Sequence, residues 1–128
     1  MQALLDTHTL IWWLTDDARL SAVARRLIAD PVNEVLVSAA SAWEISTKHR
    51  IGKLSGFDDL VARYAEILDG QRFVALEIDH HHALRAGSYR VSNRDPFDRM
   101  LAAQSELLSV PLLTNDEALR AFPCRTLW

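Results

Sequence analysis

A chain of 128 residues, 49% hydrophobic and 24% charged, has the balance of one globular domain, residues 1–128, and buries roughly 65–70% of its unfolded surface. Its net charge of −3 argues against a protein that coats nucleic acid through bulk electrostatics, although KHRIGK (Lys48 to Lys53) and RAGSYRVSNRDPFDR (Arg85 to Arg99) are locally basic. The lone Cys124 excludes an internal disulfide framework and suits a reducing cytoplasm. The opening MQALLDTHTLIWWLTDD lacks a basic start, and Asp6, Thr7 and His8 break its apolar run, so it reads as neither a signal peptide nor a membrane span.

In chain order, Ala3-Leu4-Leu5 is a short apolar run ending at Asp6, the pattern of a buried first strand. Ser21 caps a helix with Val23, Leu27 and Ile28 on its apolar face, ended by Pro31 and Asn33. Val35-Leu36-Val37 reads as a second strand, and Ser38 and Ser41 open a helix running to about Arg50, with Trp43 and Ile45 towards the core. A helix follows from Asp58 to Leu68, ending at Gly70, and then a third strand from Phe73 to Ile78. Asp79 caps a short helix reaching Gly87; Asp95 caps the helix begun by Pro96; Val110 to Leu113 form a fourth strand. Asp116 to Ala121 make a short helix, and Thr126 to Trp128 an edge strand. Strands alternating with helices imply an α/β fold with a mainly parallel sheet covered on both faces. Such sheets bind ligands beyond the carboxyl ends of their strands, where strand order reverses.

Asp6 and Asp116 follow the first and fourth strands, so both fall at that edge. Glu44 lies in the second turn of the helix after the second strand, and Asp98 in the first turn of its own helix, with small residues, Ala102 and Ser105, along the same face. Each acid alone has a structural explanation. Asp98 would close a capping-box-like pair with Asp95, Glu44 would pair with Lys48 at i+4, Asp116 would sit in a capped turn within TNDE, and Asp6 would be a loop acid. Together they are costly, since two carboxylates about 4 Å apart repel by roughly 4 kcal/mol at an effective dielectric of 20. An all-oxygen site of this kind suits Mg²⁺ or Mn²⁺.

LLDTHTL, SAASAWEI, RDPFDRMLAAQ and LLTNDEAL resemble, in order, the four acidic motifs of PIN-domain ribonucleases, and most of all the VapC-like toxins of type II toxin–antitoxin pairs. The resemblance spans essentially the whole chain, and DPFDRMLAAQ is its most specific piece. It implies a PIN-like three-layer α/β/α sandwich and a metal-dependent endoribonuclease of the cytoplasm, with Asp6, Glu44, Asp98 and Asp116 as catalytic, metal-binding acids. It also implies Mg²⁺ or Mn²⁺ as cofactor, RNA as substrate, a small antitoxin protein as partner, and a homodimer or a hetero-oligomer with that antitoxin. His8 departs from the Asn or Ser found in many members after Asp-Thr. Asp95 is assigned to the helix cap, and Lys48, Arg50 and Arg94 to the RNA backbone.

Other motifs carry less. DHHH, Asp79 to His82, contains the DHH string of a phosphoesterase family that needs further motifs and a longer chain, so it reads as an exposed helix start. DTHT resembles the phosphatase motif DxDxT but has His8 where the second aspartate belongs, and there is no Gly-rich phosphate loop. Of Trp12 and Trp13, adjacent on a helix, one is expected in the core and the other on an apolar surface that receives an antitoxin segment. The rival reading from another class is a non-catalytic PIN-like module that acts through a protein partner.

Overall fold

The computed structural model describes all residues from Met1 to Trp128. Its strands are β1 (Gln2–Leu5), β2 (Glu34–Ser38), β3 (Val74–Leu76), β4 (Leu112–Leu113) and β5 (Thr126–Leu127), all parallel, in the order β3-β2-β1-β4-β5. The order reverses at β1, whose neighbours are β2 on one side and β4 on the other. Alternation along the central strands sorts their side chains into two layers. Leu5, Val35, Val37 and Leu113 face one apolar cluster, and Leu4, Leu36 and Leu112 the other. Each buried leucine contributes about 1.5–3 kcal/mol by area removed from water.

Seven helices cover the sheet: α1 (Thr7–Leu14), α2 (Ala22–Ala29), α3 (Ala39–Arg50), α4 (Asp58–Ala62), α5 (Tyr64–Gly70), α6 (His80–Ser88) and α7 (Pro96–Leu108). Leu10, Ile11, Ala24, Ile28, Leu60 and Leu68 close the first layer; Ala86, Leu101, Ala102 and Ala103 close the second. This is the three-layer α/β/α arrangement expected from the sequence. No helix is long and apolar enough to cross a membrane.

Several local readings need correction. Asp58 to Leu68 is two helices, because Arg63 leaves helical geometry at φ −120° and ψ 28°. Its guanidinium spans the break, reaching Asp59 in α4 and Glu66 in α5. The third strand pairs only over Val74–Leu76, since β2 turns into α3 at Ser38 and leaves Glu77 without a ladder partner; the Glu77 carbonyl accepts from Gln104 Nε2 instead. The fourth strand starts at Leu112 because Pro111 has no N–H to donate. The segment after Asp116 is a 3-10 helix, Glu117–Ala121. Trp43 is not a core residue: it is 57% exposed and meets Phe97 edge-to-face at 4.7 Å, whereas Ile45 is buried as expected. In the His80–His82 run, His80 and His81 are exposed, but His82 is buried and completes a capping box with Asp79.

Candidate active site

Asp6 is the first residue beyond β1, at the reversal of strand order and at the N-cap position of α1, where its side chain makes no capping bond. Its backbone N–H donates to the Leu113 carbonyl (3.1 Å), continuing the β1–β4 pairing by one residue. Thr9 Oγ1 donates to the same carbonyl (2.7 Å), tying the first turn of α1 to the end of β4. Asp6 is therefore rigidly placed, and it is buried. Its carboxylate accepts from Thr114 Oγ1 (2.8 Å), and that hydroxyl accepts from the Asp116 N–H (3.0 Å), so one buried threonine links two of the acids. Asp116 is exposed and caps the 3-10 helix by accepting from the Ala118 N–H (2.9 Å). The capped turn expected within TNDE is thus made by Asp116 itself, while Thr114 faces Asp6.

Asp98 enters from α7. The cap of that helix is made by Asp95, whose carboxylate accepts from the N–H groups of Phe97 (2.8 Å) and Asp98 (3.0 Å). Asp98 makes no reciprocal cap, because the Asp95 N–H is taken by Asn93 Oδ1 (2.9 Å). The Asp98 carboxylate instead accepts from Asn93 Nδ2 (3.0 Å). Asn93 thus serves both aspartates, and Asp95 caps the helix as the sequence reading has it. The loop bearing Asn93 is held by Arg99, which donates to the carbonyls of Ala86, Tyr89, Val91 and Asn93 at 2.5 to 3.2 Å.

Glu44 lies on α3, 4% exposed, in an ion pair with Lys48 one turn on. The Thr7 and Ser41 hydroxyls bond at 2.9 Å and join α3 to α1 beside it. The structural explanation offered for Glu44 is thus fulfilled, and Lys48 is committed to it. Of the other basic residues, Arg99 is spent on the loop and Arg85 on Glu106, while Arg50, Arg90 and Arg94 are exposed.

The electrostatics tie these acids into one field. Burial raises the Asp98 carboxyl from the ordinary 3.8 to about 6; the Asn93 hydrogen bond opposes this, and the charges of Asp95, Asp6 and Asp116 add to it. Burial also raises Asp6, against the Thr114 hydrogen bond and the charge of His8, while Glu44 pushes it further up. Three or more acids, histidines or cysteines do not come close enough together here to enclose an ion. The donor chemistry nevertheless fits a hard divalent cation: the acids are oxygen donors only, and burial and mutual repulsion penalise their charges, which a cation relieves.

The residues that the sequence reading missed are Asn93, which positions Asp98, and Thr114 in its role on Asp6. An Asn two residues before Asp-Pro is a turn former by composition, which was the available signal for Asn93.

A parallel α/β/α fold with Asp6 and Asp116 at its strand-order reversal places these acids where open α/β sheets bind their ligands. The PIN domain family model matches residues 3–123, and the chain belongs to the PIN domain family. The family is one of nucleases, proteins that in general use divalent metal ions. No curated protein matches the chain. Among solved structures, VapBC2 from Rickettsia felis bound to a DNA fragment from its promoter is similar, with a TM-score of 0.73 at 14% identity, covering 100% of this chain and 99% of that one. VapBC-1 from nontypeable Haemophilus influenzae gives 0.71 at 18% identity, over 99% and 97% of the two chains. FitAcB from Neisseria gonorrhoeae gives 0.69 at 17%, over 98% and 96%. At these identities the likeness is one of fold.

Proposed function

We propose that the chain is a metal-dependent endoribonuclease, the toxin of a type II toxin–antitoxin pair, acting in the cytoplasm on RNA and held in check by a small antitoxin protein. The observation that carries the reading is the set Asp6, Asp98 and Asp116 at the strand-order reversal, with Asp6 and Asp98 buried enough that their carboxyls are raised. Burial of this kind is costly and has no purpose in a cap, which Asp95 already provides. Likeness of fold to the VapBC structures over essentially the whole chain supports the toxin assignment and the antitoxin partner.

Asp6, Asp98 and Asp116 would hold Mg²⁺ or Mn²⁺, with Glu44 completing the set. When bound, such an ion supplies Lewis acidity at a phosphoryl oxygen and an acidified water. The chain's own residues do the rest. Thr114 fixes the Asp6 carboxylate and Asn93 that of Asp98, so both are oriented before substrate arrives. The raised Asp98 carboxyl holds a proton more readily than an ordinary aspartate, and a bound cation would favour its ionised form. Lys48 offsets the charge of Glu44 within their ion pair. Arg50, Arg90 and Arg94 lie on the surface, available to the RNA backbone.

The Lys48–Glu44 pair is also what a non-catalytic binding module would retain, since it satisfies the buried acid without a metal. Cleavage of single-stranded RNA by the metal-free chain, with and without added Mg²⁺ or Mn²⁺, separates the two. Cleavage that requires the ion and is lost in Asp6→Asn supports the nuclease; a folded chain inert under all ions supports the binding module.

A further inference from the structure

His8, Trp12, Arg19 and Asn115 share with Asp6 and Asp116 one cavity of about 280 Å³ beyond the ends of β1 and β4. The two acids belong to the site described above; of the other four, only His8 bears on it, through its charge on Asp6. Trp12 is half-buried, its inner side packed on the apolar layer beneath α1. Its indole is braced by neighbours: Trp128 edge-on at 5.7 Å, the His8 ring tilted by 33° at 5.9 Å, and the Arg19 guanidinium 4.9 Å from the ring centroid. Arg19 is itself held, since the Asp17 carboxylate accepts from its backbone N–H, Nε and Nη2 at 2.9, 3.0 and 2.8 Å. Ring and cation are fixed in advance, so a ligand finds little rotamer freedom left to remove.

The chemistry of this cavity selects a planar, uncharged group. Asp6 and Asp116 in its wall disfavour a free anion, whereas the aromatic faces and the guanidinium plane favour a flat π-system. Asn115 and His8 add hydrogen-bonding atoms at the rim, the kind that read base edges. Nucleobases meet that description, and in RNA such pockets take bases splayed out of single strands rather than bases within a duplex. We infer that this cavity receives an unstacked base adjacent to the cleaved phosphodiester, with the Arg19 guanidinium, layered over the Trp12 ring, and the His8 ring as its stacking surfaces. The inference rests on the ribonuclease reading above and makes Trp12 a determinant of specificity for single-stranded RNA.

The test is a single-stranded RNA cleaved at one bond, remade with one abasic nucleotide at each position in turn. At one position flanking the cut, loss of the base raises KM about tenfold and changes kcat less than about threefold, in keeping with the usual worth of base–aromatic stacking. In Trp12→Leu that penalty falls below about twofold. Should Trp12→Leu not fold, His8→Ala and Arg19→Gln, both at exposed side chains, carry the same comparison and shrink the penalty. Binding of the same RNAs to Asp98→Asn, followed by tryptophan fluorescence, reads base dependence without turnover. Base-dependent quenching with no cleavage by the unsubstituted chain keeps the cavity's role and overturns the ribonuclease reading. Cleavage indifferent to base removal at every position, an undiminished penalty in the folded variants, or no base dependence in either assay overturns the inference.

Discussion

Asp98→Asn removes a half-buried negative charge that no cationic side chain offsets. Burial, reinforced by Asp95, Asp6 and Asp116, moves this carboxyl from 3.8 to about 6 in spite of the Asn93 hydrogen bond. At about 1.4 kcal/mol per pKa unit, the ionised form costs the fold roughly 3 kcal/mol. The side chain is half-exposed, and solvent screening reduces this to ~1–2 kcal/mol. Because the folded pKa is raised, the cost is absent below the unfolded value, grows from about pH 4 and is complete above about pH 6–7. An asparagine at this place keeps an oxygen for Asn93 and carries no charge. With an unfolding entropy of about 270 cal/mol/K for 128 residues, ~1.5 kcal/mol corresponds to a Tm about 5 °C higher. Asp98→Asn is therefore expected to melt about 5 °C above the unsubstituted chain near pH 7.5 without divalent ions, and within about 1 °C of it near pH 4, while RNA cleavage is abolished. Differential scanning calorimetry at the two pH values and a cleavage assay read both halves. A variant that melts lower near pH 7.5, or whose gain is the same at both pH values, refutes the electrostatic reasoning.

Asp95→Ala deprives the Phe97 and Asp98 N–H groups of their acceptor and is expected to cost about 1 kcal/mol of stability while most cleavage survives; equal loss of activity in folded Asp95→Ala and Asp98→Asn contradicts the division between them. Lys48→Met leaves Glu44 buried without its partner and lowers stability by about 3 kcal/mol, a deficit that added Mg²⁺ narrows in thermal melts; an unchanged Tm contradicts the pairing. Millimolar Mg²⁺ raises the Tm of the unsubstituted chain through preferential binding to the folded state, and raises it less in Asp6→Asn; an equal rise in both places the ion elsewhere.

The parts of this site legible in the sequence are those fixed by local rules. An apolar run ending at Asp6 placed that acid at a strand end, and Asp95-Pro96 marked a helix start with Asp95 as its cap. Ser38 likewise marked the start of the helix that carries Glu44. What escaped depends on contacts remote in sequence. Thr114 reads as a turn former in TNDE, yet its hydroxyl reaches Asp6, 108 residues away. Arg99 reads as a surface cation, and its guanidinium is used on three carbonyls of the loop before α7 and on that of Ala86 in α6. Trp43 reads as core because tryptophans usually are, but on α3 it falls beside Glu44 on the side facing Phe97. His82 was assigned to the surface with its neighbours, though three residues after Asp79 it is at the position that closes a capping box. Periodicity gives the face of a helix; it does not give the element across from that face.

On the proposed function, carboxylates at the strand-order reversal, and not histidines, carry the chemistry on RNA. Histidine-based ribonucleases use the substrate's own 2′-hydroxyl and leave a 2′,3′-cyclic phosphate. Water delivered at the acids breaks the bond to the 3′ oxygen and leaves the phosphate on the downstream fragment. The chain has five histidines, of which His8 is beside Asp6 and His80–His82 open α6. End-group analysis of a cleaved oligonucleotide decides between them: 5′-phosphate and 3′-hydroxyl ends are expected, with His8→Asn costing less than about tenfold in kcat. Cyclic phosphate ends would contradict it and move the reaction from the carboxylates to the histidines.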